Sequence, residues 1–274
     1  MAPASMGGRG SNRRKQVQLG LEGRTALVTG GSKGIGFACA KALLAEGCRV
    51  AIVSRAKENV DRACSTLGDA RGFCADLTSA AEAASLVDRV QAELGDIDIL
   101  VNSAGAARRT PPDQLTPESW RAAMDAKFFS YINVIDPLIK RMAARRRGVV
   151  VNIIGNGGKV ASPIHLPGGS ANAALMLATA GLATAYAEAG IRVVGINPGL
   201  TDTERVAGGM EADAAAKGIS VEEALKQGVA RIPMGRMAKP EEIADFVAFL
   251  ASDRAGYLTG VNVTMDGAQS PTIV

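Results

Sequence analysis

An α/β fold, a doubly wound parallel sheet with helices on both faces, is predicted by three observations. Short, β-branched and almost continuously apolar runs recur along the chain. Helix-length segments separate them, and a glycine-rich turn joins the first run to the first helical segment. Apolar runs without alternation mark strands buried on both faces, the condition of a parallel sheet covered by helices. Repeated βα units with right-handed crossovers then produce the doubly wound arrangement.

Taken in order, residues 1–20 contain Arg9, Arg13, Arg14 and Lys15 without an acid, and lack the apolar core of a secretory signal. They read as a basic, disordered tail. A single domain is expected over 21–274. Its predicted strands are TALVT (25–29), RVAIV (49–53), GFCA (72–75), IDILV (97–101), VVVNII (149–154), IRVVGI (191–196) and VNVTM (261–265). Segments such as IGFACAKALLAEG and SAAEAASLVDRVQAELG have the length and pattern of the intervening helices. No second core or internal repeat appears.

Composition bounds the function. Of 274 residues, 47% are hydrophobic and 21% charged, ordinary for a soluble globular chain. The net charge of +4 resides in the tail, because the body carries as many cations as acids. A neutral body argues against nucleic-acid binding. The internal run Arg145-Arg146-Arg147 follows a predicted helix, where cations offset its carbonyl end. Cys39, Cys48, Cys64 and Cys74 form no CxxC pair, and the sole histidine, His165, is remote from them. No metal site is therefore expected, and the thiols read as reduced in a cytoplasmic protein. No apolar run reaches the eighteen or so residues of a membrane span.

The turn TGGSKGIG (Thr29 to Gly36) lies between strand and helix, where backbone N–H groups and a positive helix end meet. Gly30 permits the tight turn; Gly34 and Gly36 allow a pyrophosphate and the helix to come close. This is a Rossmann-type dinucleotide site. An acid after the second strand would bind a ribose 2′-hydroxyl and repel a 2′-phosphate. Here the chain has Ser54-Arg55, and Lys33 adds a cation on the same side. The pair forms a clamp for a phosphate, which favours NADP(H) over NAD(H). The plainer reading makes both cations solvated surface residues.

The spacing TGxxxGxG, with Ser32 and Ile35 inside it, resembles the cofactor motif of the short-chain dehydrogenase/reductase family. Asp76-Leu77 looks like its adenine contact, and NSAG (Asn102 to Gly105) resembles its NNAG motif. NPGLTDT, with Pro198, Gly199 and Thr203, is similar to its NPGxxxT loop; GRMAKPEEIADFVAFLASDRAGYLTG resembles its C-terminal helix and turn. The resemblance implies that Thr203 lies near the nicotinamide amide. It implies a small-molecule substrate, a homodimer or homotetramer, and a mobile substrate lid around 202–236. The hydrophobic residues Met210, Val229, Ile232 and Met234 are expected to form an apolar pocket wall.

The family's catalytic Asn, Ser, Tyr and Lys fall on Lys127, Gly155, Gly168 and Asn172. Counting forward from VVVNII and back from GIRVVGINPG both reach Gly168. Loss of a general acid slows a reaction by roughly 10²–10⁴-fold, which positioning alone can outweigh. Lys and Asn have exchanged places, and His165 precedes Gly168 in a turn flanked by Pro163 and Pro167. An imidazole titrates near neutrality without a lysine to tune it. His165 is thus the expected proton donor, with Lys127 on the ribose or the developing oxyanion. Asn172 and Ser170 are expected to hold water or substrate. Ser162 and Asn156 are further candidate oxyanion donors, and Tyr131, one turn beyond Lys127, is expected to pack. Three readings remain open: an NADP-dependent oxidoreductase interconverting a carbonyl and an alcohol, a non-catalytic NADP-binding relative, or a non-redox lyase or isomerase reusing the pocket.

Overall fold

In the computed structural model, which describes residues 18–105 and 107–271, the first predicted strand is β1 (Thr25–Thr29), buried along its whole length. It lies between β2 (Arg49–Ser54) and β4 (Ile99–Asn102). With β3 (Arg71–Cys74), β5 (Gly148–Ile153), β6 (Ile191–Pro198) and β7 (Asn262–Met265) it forms a seven-stranded sheet of order β3-β2-β1-β4-β5-β6-β7. Every paired strand is parallel. The strand order reverses between β1 and β4, so the crevice for ligand opens at their carboxyl ends.

Helices cover both faces because the strands are apolar on both sides. On one face, α1 (Gly34–Ala45) packs against α9 (Pro240–Ala251), enclosing Leu43, Val28, Ile52, Val101 and Val247. On the other, α3 (Ala80–Leu94), α5 (Ser130–Ala144) and α6 (Leu166–Tyr186) enclose Leu27, Leu86, Leu100, Leu138 and Leu175. The smaller α2 (Lys57–Leu67) rests on β2 and β3. Beyond β6, α7 (Glu204–Lys217) and α8 (Val221–Ala230) share a separate small core of Met210, Ala214 and Ala224. No described helix is long and apolar enough to cross a membrane.

Several expectations shift. The strand placed at 97–101 runs over Ile99–Asn102, because Asp98 is taken up in contacts at the strand entrance: its carboxylate accepts from the Thr25 N–H. Arg145 and Arg147 reach the same carboxylate at 3.7 and 3.3 Å, and Arg145 also meets Asp96 at 3.5 Å. The arginine run therefore pins one edge of the sheet as well as closing a helix. β6 extends to Pro198 because β7 supplies a partner through Met265. Arg9, Arg13, Arg14 and Lys15 lie outside the described residues. Two residues of the expected tail are tied to the fold: the Gln18 carbonyl accepts from Arg254, and Leu19 packs against the α1 core.

Candidate active site

The carboxyl ends of the central strands are held by a buried chain of polar side chains. Thr29 Oγ1 donates to Asn102 Oδ1 (3.4 Å) and accepts the N–H groups of Ser103 and Ala104. Asn102 donates to Asn152 Oδ1, and Asn152 donates to Thr179 Oγ1, each at 3.0 Å. All four residues are buried. Asn102 is therefore no direct contact for a ligand through its side chain; its amide fixes the Ser103–Gly105 backbone from behind.

At the first βα turn, Gly30 (φ 64°) and Gly34 (φ 53°) occupy left-handed backbone that side chains resist. A Cβ on Gly36 would stand 2.3 Å from the Gly30 carbonyl oxygen, so the third glycine is required for the helix to start where it does. Lys33 caps α1 without a side-chain hydrogen bond, and the first turn contains no acid. The leading N–H groups of α1 are thus available to an anion, and the positive helix end favours one. This cradle fits a pyrophosphate. Lys33 is exposed and meets Glu204 at 3.2 Å. Ser54 ends β2, Arg55 projects into solvent beyond it, and no acid directly follows the strand. Asp76 accepts from the Thr78 N–H and hydroxyl, which, helped by Arg55, holds its carboxyl below the usual range. Leu77 is buried in the core.

A cavity of about 1160 Å³ opens from this turn toward α6 and α7. Ile35, Gly105, Lys127, His165, Gly168, Asn172, Pro198, Gly199 and Thr203 all line it. The structure thus brings together the three expected catalytic residues and the nicotinamide-side motif. Ser54, Arg55, Asp76 and Leu77 stand outside this cavity, at the ends of β2 and β3 on the same sheet edge. A smaller hollow, about 590 Å³, is lined by Arg24, Arg49, Asp96, Asp98, Arg145 and Arg147. Asp96 and Asp98 are already engaged by arginines, Glu22 is its remaining acid, and it holds no nucleophile.

Lys127 sits on a π-helical turn, Met124–Phe129, which links α4 (Pro117–Ala123) to α5. Such turns widen a helix and recur at functional sites. The turn comes so close to the NSAG loop that a Cβ on Gly105 would strike the Ala126 carbonyl oxygen at 2.1 Å. Lys127 is 8% exposed. Its Nζ donates to Tyr131 Oη (2.9 Å) and to the Ile153 carbonyl (3.0 Å), and the Tyr131 hydroxyl donates to that same carbonyl at 2.6 Å. No carboxylate compensates the amine. Burial, followed by repulsion from Arg205, pulls its pKa down to about 7. Tyr131 does pack, as its spacing predicts, but its hydroxyl also anchors the lysine. Sequence reasoning missed that role, although the i, i+4 spacing was the available signal. Burial pushes the Tyr131 phenol far above its usual value, so it remains a neutral partner.

His165 ends a 3-10 turn, Pro163–His165, and stands immediately before α6. Its ring covers Gly168: a Cβ there would lie 2.2 Å from His165 Cε1 and 2.7 Å from Ala107 Cβ. The imidazole fills the start of the path that a side chain at 168 would follow. Gly157 gives the ring room, its Cβ position being 3.2 Å from His165 Cδ2. Asn172 Nδ2 lies close by, 3.6 Å from the same point. His165 Nδ1 and Asn172 Oδ1 are both buried without a protein partner. Buried polar atoms demand partners, so these two await a ligand or water. Burial, then Arg109 and Lys127, lower the His165 pKa, leaving the ring neutral at pH 7.

Other expectations are corrected. Ser170 is exposed and stands outside the cavity, because α6 turns that face to solvent. Asn156 lines the cavity, but its amide donates to Asp266 Oδ2 (2.9 Å) and Ser270 Oγ (2.5 Å), so it is no free oxyanion donor. Ser162 does line the cavity. Of the expected apolar wall only Met210 faces it; Ile232 packs toward Gly267, and Met234 is 63% exposed.

Comparison with known proteins gives this geometry a family. A family model described as enoyl-(acyl carrier protein) reductase matches residues 30–268. The chain is 35% identical to D-threitol dehydrogenase of Mycolicibacterium smegmatis over 90% of its length and 93% of that protein. It is also 35% identical to acetoacetyl-CoA reductase of Rhizobium meliloti, over 90% and 98% of the two chains. Among solved structures, actinorhodin polyketide ketoreductase with NADPH superposes with a TM-score of 0.88 at 30% identity, covering 91% of this chain and 98% of that one. L-sorbose reductase of Gluconobacter frateurii, complexed with NADPH and L-sorbose, gives 0.87 at 27% identity, covering 94% and 100%. These relatives are oxidoreductases acting on small molecules. With the cofactor turn, the strand order and the cleft agreeing, the chain belongs to the short-chain dehydrogenase/reductase family.

Proposed function

We propose that the protein is an NADP-dependent oxidoreductase that interconverts a carbonyl and an alcohol on a small molecule through a non-standard proton donor. One observation carries this reading: the uncapped end of α1 opens on the same cavity as Lys127, His165 and Asn172. The turn Gly30, Ser32, Lys33, Gly34, Ile35 and Gly36 would hold the pyrophosphate. Ser54 and Arg55, with Lys33, would hold the 2′-phosphate, and Asp76, backed by the buried Leu77, the adenine. Gly105, supported by Asn102, and Pro198, Gly199 and Thr203 would flank the nicotinamide end. When bound, the cofactor supplies or accepts the hydride.

The chain's own residues manage the proton and the charge. Protonated His165 gives its proton to the carbonyl oxygen in reduction and takes it back in oxidation. Lys127, fixed from below by Tyr131 and Ile153, directs positive charge at the developing oxyanion. Asn172 holds water or substrate beside the imidazole. Helices α7 and α8 form the lid, since few core residues join them to the body. Leu177 on α6 and Tyr257 expose large apolar surface and suit a homo-oligomer, which sedimentation would test.

Two outcomes test the reading. NADPH oxidation is to be followed with ketones, aldehydes, quinones and enones. Because His165 titrates below its usual 6.5, reduction should fall as pH rises through a break on the acid side of that value. His165→Gln should remove the break and lower turnover by about 10²-fold; an unaltered profile rejects the histidine's role. For the cofactor, Arg55→Asp should raise the KM for NADPH at least tenfold and lower that for NADH, since it replaces attraction to a 2′-phosphate with repulsion. An unchanged ratio counts against the clamp. The second reading, an NADP-binding protein without turnover, draws on the absence of any hydroxyl at Gly168. It predicts NADPH binding and no reduction across the whole panel.

A further inference from the structure

Above the floor formed by Lys127 and His165, the cleft walls bear Arg108 and Arg109, Arg205 at the start of α7, and Arg231 after α8. None of these four has a carboxylate partner among the described residues. The acids on the same walls do not balance them. Glu204 meets Lys33, Asp213 meets Lys217, and Glu211 alone stands without a cationic partner there. Arg109 is near enough to disfavour a proton on His165, and Arg205 one on Lys127. Arg205 also donates to the Gly105 carbonyl at 3.0 Å, which holds it over the NSAG loop. Thr203 caps α7 with no side-chain bond to the leading N–H groups, and Glu204 in that first turn offsets part of the positive helix end. Like charges gathered at one place repel one another, and an anion between them relieves that repulsion.

We propose that the substrate carries an oxyanion on a short tether from the reacting carbon, gripped between Arg109 and Arg205 above Lys127 and His165. Carboxylate and phosphate share the chemistry that two guanidinium groups recognise. The substrate is thus a small oxo acid or a phosphorylated ketone, with the corresponding alcohol as its redox partner. This assignment rests on the oxidoreductase reading above and adds the substrate class to it. Arg109 stands against Gly209, more than a turn further along α7, whereas Arg205 follows Thr203 and Glu204, which meet Gly34 and Lys33 of the α1 turn; the NADPH affinity of the Arg205 variant therefore decides whether that cation serves the substrate or the cofactor. An anion held there also favours the Lys127 ammonium, so its binding should be accompanied by proton uptake.

The test uses the full chain saturated with NADPH. Malonate and, separately, inorganic phosphate are titrated calorimetrically in buffers of differing ionisation heat. Binding is expected for one of them, with proton uptake, and Arg109→Gln and Arg205→Gln should each weaken it at least tenfold. NADPH affinity should change less than threefold in Arg109→Gln, and in Arg205→Gln should fall by much less than anion affinity; circular dichroism reports that both are folded. In turnover, acetoacetate should exceed its methyl ester, or dihydroxyacetone phosphate exceed dihydroxyacetone, at least thirtyfold in kcat/KM. The stronger pair distinguishes carboxylate from phosphate. Absence of binding by either anion, or equal turnover of charged and neutral forms, overturns the proposal. So does an Arg205→Gln variant that loses NADPH rather than malonate. Anion binding without turnover of any carbonyl supports the anion site and rejects the oxidoreductase reading, so the two failures are distinct.

Discussion

Lys127→Met is expected to lower turnover by about 10²-fold or more while making the protein more stable. The side chain it replaces is a buried amine with only a phenol and a carbonyl for partners. In the unfolded chain that amine titrates at its ordinary value; in the fold it titrates at about 7. Between those two values the unfolded state binds the extra proton, so stability rises as pH increases through the interval. Below pH 7 the amine is charged in both states and the full cost of burying it is borne, on the order of 4 kcal/mol. Methionine removes that cost and leaves the Tyr131 hydroxyl bonded to Ile153, so no polar group is orphaned. Denaturant unfolding of both proteins from pH 6.5 to 8.5 should therefore show a positive difference for the variant that shrinks as pH rises. The difference curve matters, because the thiols of Cys39 and Cys48 are pushed up by burial and act in the opposite direction at higher pH. A variant that is both less stable and equally active removes Lys127 from the mechanism. Greater stability with lost turnover is the pattern of a site that holds its charge at the expense of the fold.

Gly168→Tyr should fail to restore the family's phenol and should destabilise the protein by about 1–3 kcal/mol. The new Cβ collides with the His165 ring and with Ala107 before the phenol reaches the cleft. Histidine and tyrosine compete for one space, so the two substitutions must couple. In a double-mutant cycle, His165→Ala with Gly168→Tyr should recover at least 1 kcal/mol of the loss seen in Gly168→Tyr alone. Additive effects would show that the imidazole does not occupy that path. The same competition gives the glycine a reason: the residue is small because His165 lies over it. A side chain at 155 meets the same cluster, with a Cβ there 3.3 Å from Asn172 Nδ2 and backbone at φ 124°. Gly155 and Asn172 are thus neighbours, and His165 lies over Gly168.

The sheet was legible because each strand is apolar on both faces, and no neighbour in space is needed to see that. TALVT and IRVVGI read as buried strands in isolation, and their order with the helices between them leaves few topologies. The glycine turn was legible for a similar reason: its spacing encodes backbone conformation, which is local. Lys127, His165 and Asn172 could be named from their positions, since motif counting places them. Their partners could not. Whether Asn156 offers a free donor depends on Asp266 and Ser270, more than a hundred residues further along the chain. The apolar wall failed likewise: Met210 and Met234 are the same residue type, but one is buried on α7 at the cavity and the other is exposed beyond α8.

What the sequence by itself determined is the fold and the nucleotide cradle, both written in local spacing; the assignment of Gly168 to the family's proton-donor position is the expectation that motif counting adds. Only the tertiary structure decided the charge state of the site. The depression of the Lys127 pKa follows from the closing of Tyr131, Ile153 and the π-helical turn around it, which strips the amine of water. The neutrality of His165 follows from its seat over Gly168 with Arg109 nearby. Solvation and charge proximity are sums over everything that surrounds a group in space, and no stretch of sequence contains that sum.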